Sequence, residues 1–348
     1  MLWSSEQKRL RAAWRIVIFG VLVFSLAALL FSVSILVIGV WFVFSIARAG
    51  ANFPANLVYE RLLGFVSDMD RVMLISSIST MVSVFLVTPF SIKVIDKREW
   101  TPLRQQLKPA WWKDLGIGCL VGFAGIGLIF AILAALGSIQ VSGFNVDLAK
   151  PGFLSGFFRS LLLFVCVGVY EEVIFRGYVF NNLSESLFGK WLTKGKAVTL
   201  SAIISSLAFS ILHLANPHAN FMGFLNILVI GCLLCLSVLV TRRIGFAIGF
   251  HFLWNFSQSV LFSVPVSGLS PDAALLNVQV NGPDWLTGGH FGFEGSVLCL
   301  LINISAAILI VFLYKKKNKD LELNFEIAEY VPRKPSVSQS QSPTDLHI

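Results

Sequence analysis

Residues 16–47 read IVIFGVLVFSLAALLFSVSILVIGVWFVFSIA, with no charge from Ile16 to Ala47. Crossing a hydrocarbon layer of ~30 Å takes about 20 apolar residues at ~1.5 Å rise each. The stretch is therefore a membrane span with length to spare, expected to tilt or to extend beyond the bilayer. It lacks a small-residue cleavage site after a short apolar core, so it reads as an anchor and not as a signal peptide. Further apolar segments follow near 72–92, 115–137, 157–175, 198–215, 223–240, 244–264 and 296–314. The expected fold is all-α: a polytopic transmembrane helix bundle of about eight spans.

Composition agrees. Of 348 residues, 56% are apolar and 13% charged, against roughly 25% charged in a soluble domain. The net charge of +8 invites a nucleic-acid reading, but the charges sort by loop. On alternate sides of the eight spans, 22 of the 27 Lys and Arg fall on one side. Only Arg48, Arg61, Arg71 and Lys150 occupy the opposite loops, with Arg159 inside the fourth span. This asymmetry places both termini in the cytoplasm. It makes the lipid bilayer the partner, with no role for nucleic acid. The membrane is expected to be a bacterial inner (plasma) membrane, ahead of an organelle membrane.

Four regions are expected: N-terminal helices and loops over 1–150, a catalytic helical core over 151–264, an outer loop and last span over 265–317, and a disordered cytoplasmic tail over 318–348. Trp111 and Trp112 fit an interfacial belt before the third span. Segment 97–113 reads as a basic loop on anionic lipid. Leu183, Leu187, Phe188 and Trp191 suggest a short amphipathic surface helix within 178–197. The loop 265–295 carries no Lys or Arg, as an extracytoplasmic loop would. Cys119, Cys166, Cys232, Cys235 and Cys299 all fall in spans and read as packing residues, the Cys232/Cys235 pair included.

Ionisable residues inside a span are expensive and ask for a reason. Glu171-Glu172-Val-Ile-Phe-Arg176 ends the fourth span, Phe209-Ser-Ile-Leu-His213 lies in the fifth, and His251-Phe-Leu-Trp-Asn255 in the seventh. Glu172 and Arg176 are i,i+4 neighbours, suited to an ion pair, while Glu171 points about 100° away and can face a separate site. Peptide hydrolysis needs a base that reaches water and donors for an oxyanion. Glu plus His can do the first, and His plus Asn the second. Arg159, His218 and His290 read as structural or solvated groups.

These three motifs, Glu171-Glu172-x-x-x-Arg176, Phe209-x-x-x-His213 and His251-x-x-x-Asn255, in this order on successive apolar segments, resemble the CPBP (CAAX protease and bacteriocin-processing, or Abi) intramembrane endopeptidases. That family is related to the Ras-converting CAAX prenyl endopeptidase. The flanks Arg176-Gly177, His213-Leu-Ala-Asn-Pro217 and Gly249-Phe-His251 agree, and the resemblance covers roughly 155–260. It implies an intramembrane endopeptidase acting on a membrane-associated protein or peptide through a cavity open laterally or to the cytoplasm. Glu171 with His213 would activate water, and His251 with Asn255 would hold the oxyanion. Glu172 and Arg176 would support Glu171, with Phe209 beside them. A metal-free glutamate mechanism is favoured, with no cofactor. If zinc is used, its ligands would be Glu171, His213 and His251. A non-catalytic immunity or scaffold protein on the same fold is the main alternative. A proton-coupled carrier is a weaker one, since no inverted halves are visible.

One expectation conflicts with the rest. With these spans Glu171 lies near the cytoplasmic end of the fourth, and His213 near the outer end of the fifth. Sharing a water requires that the fifth span start deeper or that the fourth continue past Arg176.

Overall fold

The computed structural model describes residues 3–4, 7–48, 59–60, 63–65, 67–99, 108–146, 151–189, 192–270, 273–317 and 323–333. Helix α1 is Ala12–Arg48, and α2 is Met69–Phe90, extended by a π-turn Ser91–Ile95. Helix α3 is Pro109–Ala135. Helix α4, Pro151–Glu172, runs through a π-helical stretch Val173–Val179 into α5, Phe180–Leu187. Then come α6, Lys194–Leu212, α7, Phe221–Thr241, α8, Gly245–Phe256 with a π-turn Ser257–Leu261, and α9, Val297–Lys317. The fold is the expected all-α bundle. Among the described residues seven helices are long and apolar enough to cross a membrane. The eighth expected span, α8, is too short to be counted with them and is buried on nearly every face.

Contacts sort the helix ends. Arg9 and Arg98 both bind Glu185, and Tyr178 donates to Asp96. Arg243 and Tyr314 both bind Asp114. The starts of α1, α3 and α8 and the ends of α2, α5, α7 and α9 therefore share one end of the bundle, here called the basic end. Residues 323–333 return to it: Asn324 N–H donates to Leu239 and Arg333 N–H to Lys97. At the far end strand β1, Ile139–Phe144, pairs antiparallel with β2, Leu276–Val280.

Three expectations change. The fourth span runs from Gly152 to Leu187, so it does continue past Arg176, and 180–187 is not a surface helix. Its Asn181, Asn182, Ser184 and Glu185 are buried, because the last turns insert between Asp96, Arg9 and Arg98. Trp191 lies outside the described residues. Arg98 likewise turns inward and does not lie on lipid, while 100–107 is outside the described residues. The polar segment after α9 is not wholly a tail either: Ala328 is buried, and Lys194 pairs with Glu329.

Helix α8 sits at the centre because α3 lets it in. A side chain at Gly118 would strike the Phe246 carbonyl oxygen, and one at Gly249 the Leu115 carbonyl oxygen. Small residues four apart on each helix, Gly118 and Gly122 against the Phe246–Trp254 backbone and Gly245 and Gly249 against Trp111 and Leu115, let the two backbones touch. Phe246, Phe250 and Trp254 then fill the core on one side of α8, which leaves His251 and Asn255 for the other.

Candidate active site

The site is built where α4 gives way to its π-helical stretch. A π-turn frees carbonyls that must be satisfied elsewhere. Here Asn181 Nδ2 donates to the Arg176 and Gly177 carbonyls, and Ser205 Oγ to that of Phe175. The widened turn places Glu172 and Arg176 wholly inside the protein. Arg176 Nη1 donates to Glu172 Oε1 at 3.0 Å, and its guanidinium stacks 4.5 Å over the Phe209 ring. Arg176 is therefore an interior group and not one of the loop cations with which its spacing grouped it.

His251 lies between the two carboxylates. Its Nδ1 is 2.9 Å from Glu172 Oε1 and its Nε2 is 3.7 Å from Glu171 Oε2. A carboxylate only accepts, so Nδ1 carries a proton and donates it to Glu172. Glu172 Oε1 is thus shared between Arg176 Nη1 and His251 Nδ1. Glu171 Oε2 is buried with no hydrogen-bond partner among the described residues, and the Glu171 side chain is 18% exposed against 0% for Glu172. Neighbours in sequence, the two glutamates face different surroundings.

His213 caps α6 and opens a short 3-10 turn to Ala215. Its Nδ1 is 2.8 Å from the Phe209 carbonyl oxygen. A carbonyl also only accepts, so Nδ1 holds the proton and Nε2 of the neutral ring is left as an acceptor. Phe209 touches both histidines, with ring centroids 4.6 Å from His213 and 6.1 Å from His251.

Glu171, His213 and Asn255 line one cavity of about 440 Å³, within the range of small-ligand sites. Its walls include Val72 and Ser76 of α2, Ser160 and Tyr170 of α4, and Ser267 and Ser270 of the loop after α8. A small adjoining recess is lined by His213, His251, Asn255, Ser267 and Glu294. The depth conflict is thereby removed: the longer fourth span carries Glu171 to the level of His213. A larger cavity, about 1060 Å³ between α3 and α9, has none of these residues on its walls.

Sequence reading missed Glu294. It lies in the loop 265–295, where nothing marked it as more than a loop acid. In the fold its carboxylate is buried, accepting from Ser267 N–H at 2.6 Å, Ser267 Oγ at 2.7 Å and Trp254 Nε1 at 3.3 Å. Burial pushes the Glu294 carboxyl up from its usual value, opposed by the Ser267 donors, by His213 nearby and by Trp254. Asn226 Nδ2 donates to the carbonyls of Glu294 and Ser296, fixing the loop to α7. The signal that could have found Glu294 is its setting, Gly288-Gly289-His290-Phe291-Gly292-Phe293-Glu294-Gly295: so many glycines beside one acid suggest tight backbone packing. His290 stacks near His218, with ring centroids 5.2 Å apart, away from the catalytic candidates.

The zinc alternative requires Glu171, His213 and His251 to converge. Among the described residues no three His, Cys, Asp or Glu side chains lie close enough together to hold a metal ion. Both Nδ1 atoms are engaged, by Glu172 and by the Phe209 carbonyl, which leaves the two Nε2 atoms as a metal-binding histidine would have them; of the three side chains, Glu171 and His251 lie 3.7 Å apart.

Comparison with known proteins agrees with the motif order. Residues 153–257 match the family model described as Type II CAAX prenyl endopeptidase Rce1-like, less than a third of the chain. No curated protein and no solved structure matches the chain. The central helices are thus similar to a CAAX protease family, and this likeness together with the seven apolar helices supports an integral membrane protein.

Proposed function

We propose that the protein is an intramembrane endopeptidase that hydrolyses a peptide bond of a membrane-associated protein or peptide, using Glu171 as its base. The observation that carries this reading is the shared cavity of Glu171, His213 and Asn255, with His251 Nε2 3.7 Å from Glu171 Oε2. Glu171, with His213 Nε2 as a second acceptor, takes a proton from water as its oxygen adds to the scissile carbonyl. The negative charge that develops on the carbonyl oxygen is met by Asn255 Nδ2 and by His251 Nε2–H. Because the neutral ring keeps its proton on Nδ1, donated to Glu172, Nε2 donates only when the ring carries both protons. The proton taken from water then passes to the amide nitrogen as the C–N bond breaks. No cofactor enters this scheme. The basic end, by charge asymmetry, faces the cytoplasm, in a bacterial plasma membrane by preference.

The test is cleavage by purified protein of two probes: a farnesylated CAAX-type peptide and an unprenylated peptide library. Glu171→Gln is expected to abolish turnover while leaving the thermal melt unchanged. Full activity in that variant overturns the assignment and favours a binding role for the cavity.

A further inference from the structure

The groove between α3 and α9 changes its chemistry along its length. Its volume of about 1060 Å³ is at the upper limit of small-ligand sites. Most of the wall is apolar, with Leu120, Val121 and Leu128 from α3 and Ile302, Leu309 and Leu313 from α9. Leu120, Leu128 and Leu309 are exposed, so the groove lies open along the flank that meets lipid. At ~1.5 Å per residue the α3 wall from Lys113 to Leu128 is about 22 Å long. Half of a hydrocarbon layer of ~30 Å is about 15 Å. The groove therefore runs the depth of one leaflet.

At the basic end its walls turn cationic, with Lys113 from α3 and Arg242 and Arg243 from the turn after α7. The acid beside them, Asp114, is already matched on both oxygens, by Arg243 Nε and by the Tyr314 hydroxyl, each at 2.5 Å. Arg243 is anchored through Nε, and its two terminal nitrogens have no hydrogen-bond partner among the described residues. The side chains of Lys113 and Arg242 are exposed and have no ion-pair or hydrogen-bond partner among the described residues. Arg242 also occupies the left-handed cap of α7, at φ 61°, a position that glycine usually fills. The chain keeps a cation where the backbone favours glycine.

We propose that this groove binds one anionic phospholipid, its phosphate held by Lys113, Arg242 and the terminal nitrogens of Arg243, with an acyl chain laid between α3 and α9. Guanidinium groups match phosphate oxygens in geometry and charge, and basic pockets between membrane helices bind acidic head groups. A zwitterionic phospholipid brings the same chains, but its own cation offsets the attraction. The apolar wall thus accepts either lipid, and the cations choose between them. The groove shares no wall residue with the cavity of Glu171, His213 and Asn255, so the proposal stands apart from the peptidase reading.

The experiment is native mass spectrometry of the full-length protein, delipidated in detergent and titrated with phosphatidylglycerol or with phosphatidylcholine. One phosphatidylglycerol per chain is expected to bind more tightly than phosphatidylcholine. A cation at a lipid surface is worth about five-fold in affinity, so Lys113→Gln with Arg242→Gln should weaken phosphatidylglycerol binding about 25-fold. Both side chains are exposed and unpaired among the described residues, so the melt of this double variant in lipid-free detergent should match the wild type. Ser305→Trp, which fills the groove from α9, should weaken binding of both lipids. Inorganic phosphate should leave bound phosphatidylglycerol in place. Equal affinity for the two lipids overturns the proposal, as does phosphatidylglycerol binding unmoved by the double variant or by Ser305→Trp. Displacement by inorganic phosphate also overturns it, reducing the site to a phosphate on the Arg242-Arg243 turn.

Discussion

His251 donates through Nδ1 to Glu172 at 2.9 Å, and this bond, between residues 79 apart in sequence, gives the adjacent glutamates unequal surroundings. Glu172 is enclosed, shared between His251 and Arg176, and Glu171 is left to face the cavity. On the proposed mechanism, a carboxylate that orients an imidazole and one that meets substrate respond differently to the same substitution.

Glu172→Gln is therefore expected to damage the fold as well as turnover. It leaves Arg176 buried without its counter-charge, and losing one partner of a buried pair costs about 3–5 kcal/mol. A clear fall in the thermal melt in detergent is the expected result, in contrast to the unchanged melt of Glu171→Gln. Equal melts for the two variants would contradict the division of roles.

The α3–α8 contact should tolerate almost nothing larger than glycine. In Gly249→Val the new side chain meets the Leu115 carbonyl, whose backbone cannot yield without moving α3. Overpacking of this kind costs about 1–3 kcal/mol and shifts backbone, and a displacement of about 1 Å at His251 is enough to cost ~100-fold in rate. Kinetics and melting of this variant, beside Gly127→Val on the roomier face of α3, check the claim.

Chelation separates the two mechanisms proposed for such a site. Turnover that needs only Glu171, His213, His251 and Asn255 should survive dialysis against a strong zinc chelator. Metal analysis of active protein should then find less than one zinc per chain. Loss of activity on chelation, restored by zinc alone, would reinstate the metal reading.

Glu294 is expected to hold the outer loop on the site. Glu294→Ala removes the acceptor for Ser267 N–H and Oγ and for Trp254 Nε1, leaving buried donors unpaired at about 1–3 kcal/mol each. Limited proteolysis should then cut within 266–295 faster than in the wild type. Glu294→Gln, which keeps one accepting oxygen, should fall between the two. Cleavage rates identical in all three would show that the loop is held by Asn226 and its glycine contacts alone.

The order of the motifs and the length of the apolar segments were enough to specify a helical membrane bundle and to single out Glu171, His213, His251 and Asn255. Those are one-dimensional signals: an ionisable group in hydrocarbon is conspicuous wherever it points. What the chain could not disclose is pairing across helices. The i,i+4 pairing of Glu172 with Arg176 is visible in sequence, whereas the bond of Glu172 to His251 is not. The fourth span looked too short because Arg176, Asn181, Asn182 and Glu185 read as a cytoplasmic loop. Only the fold supplies the Phe209 ring, the freed π-turn carbonyls and the Asp96–Arg98 cluster that let those residues stay inside. Glu294 was invisible for the same reason, since its donors, Ser267 and Trp254, come from distant parts of the chain. Hydrophobicity, which is local and additive, determined that the chain spans a membrane. Hydrogen bonds between remote polar groups, which exist only once the helices pack, decided which of its charges face the cavity.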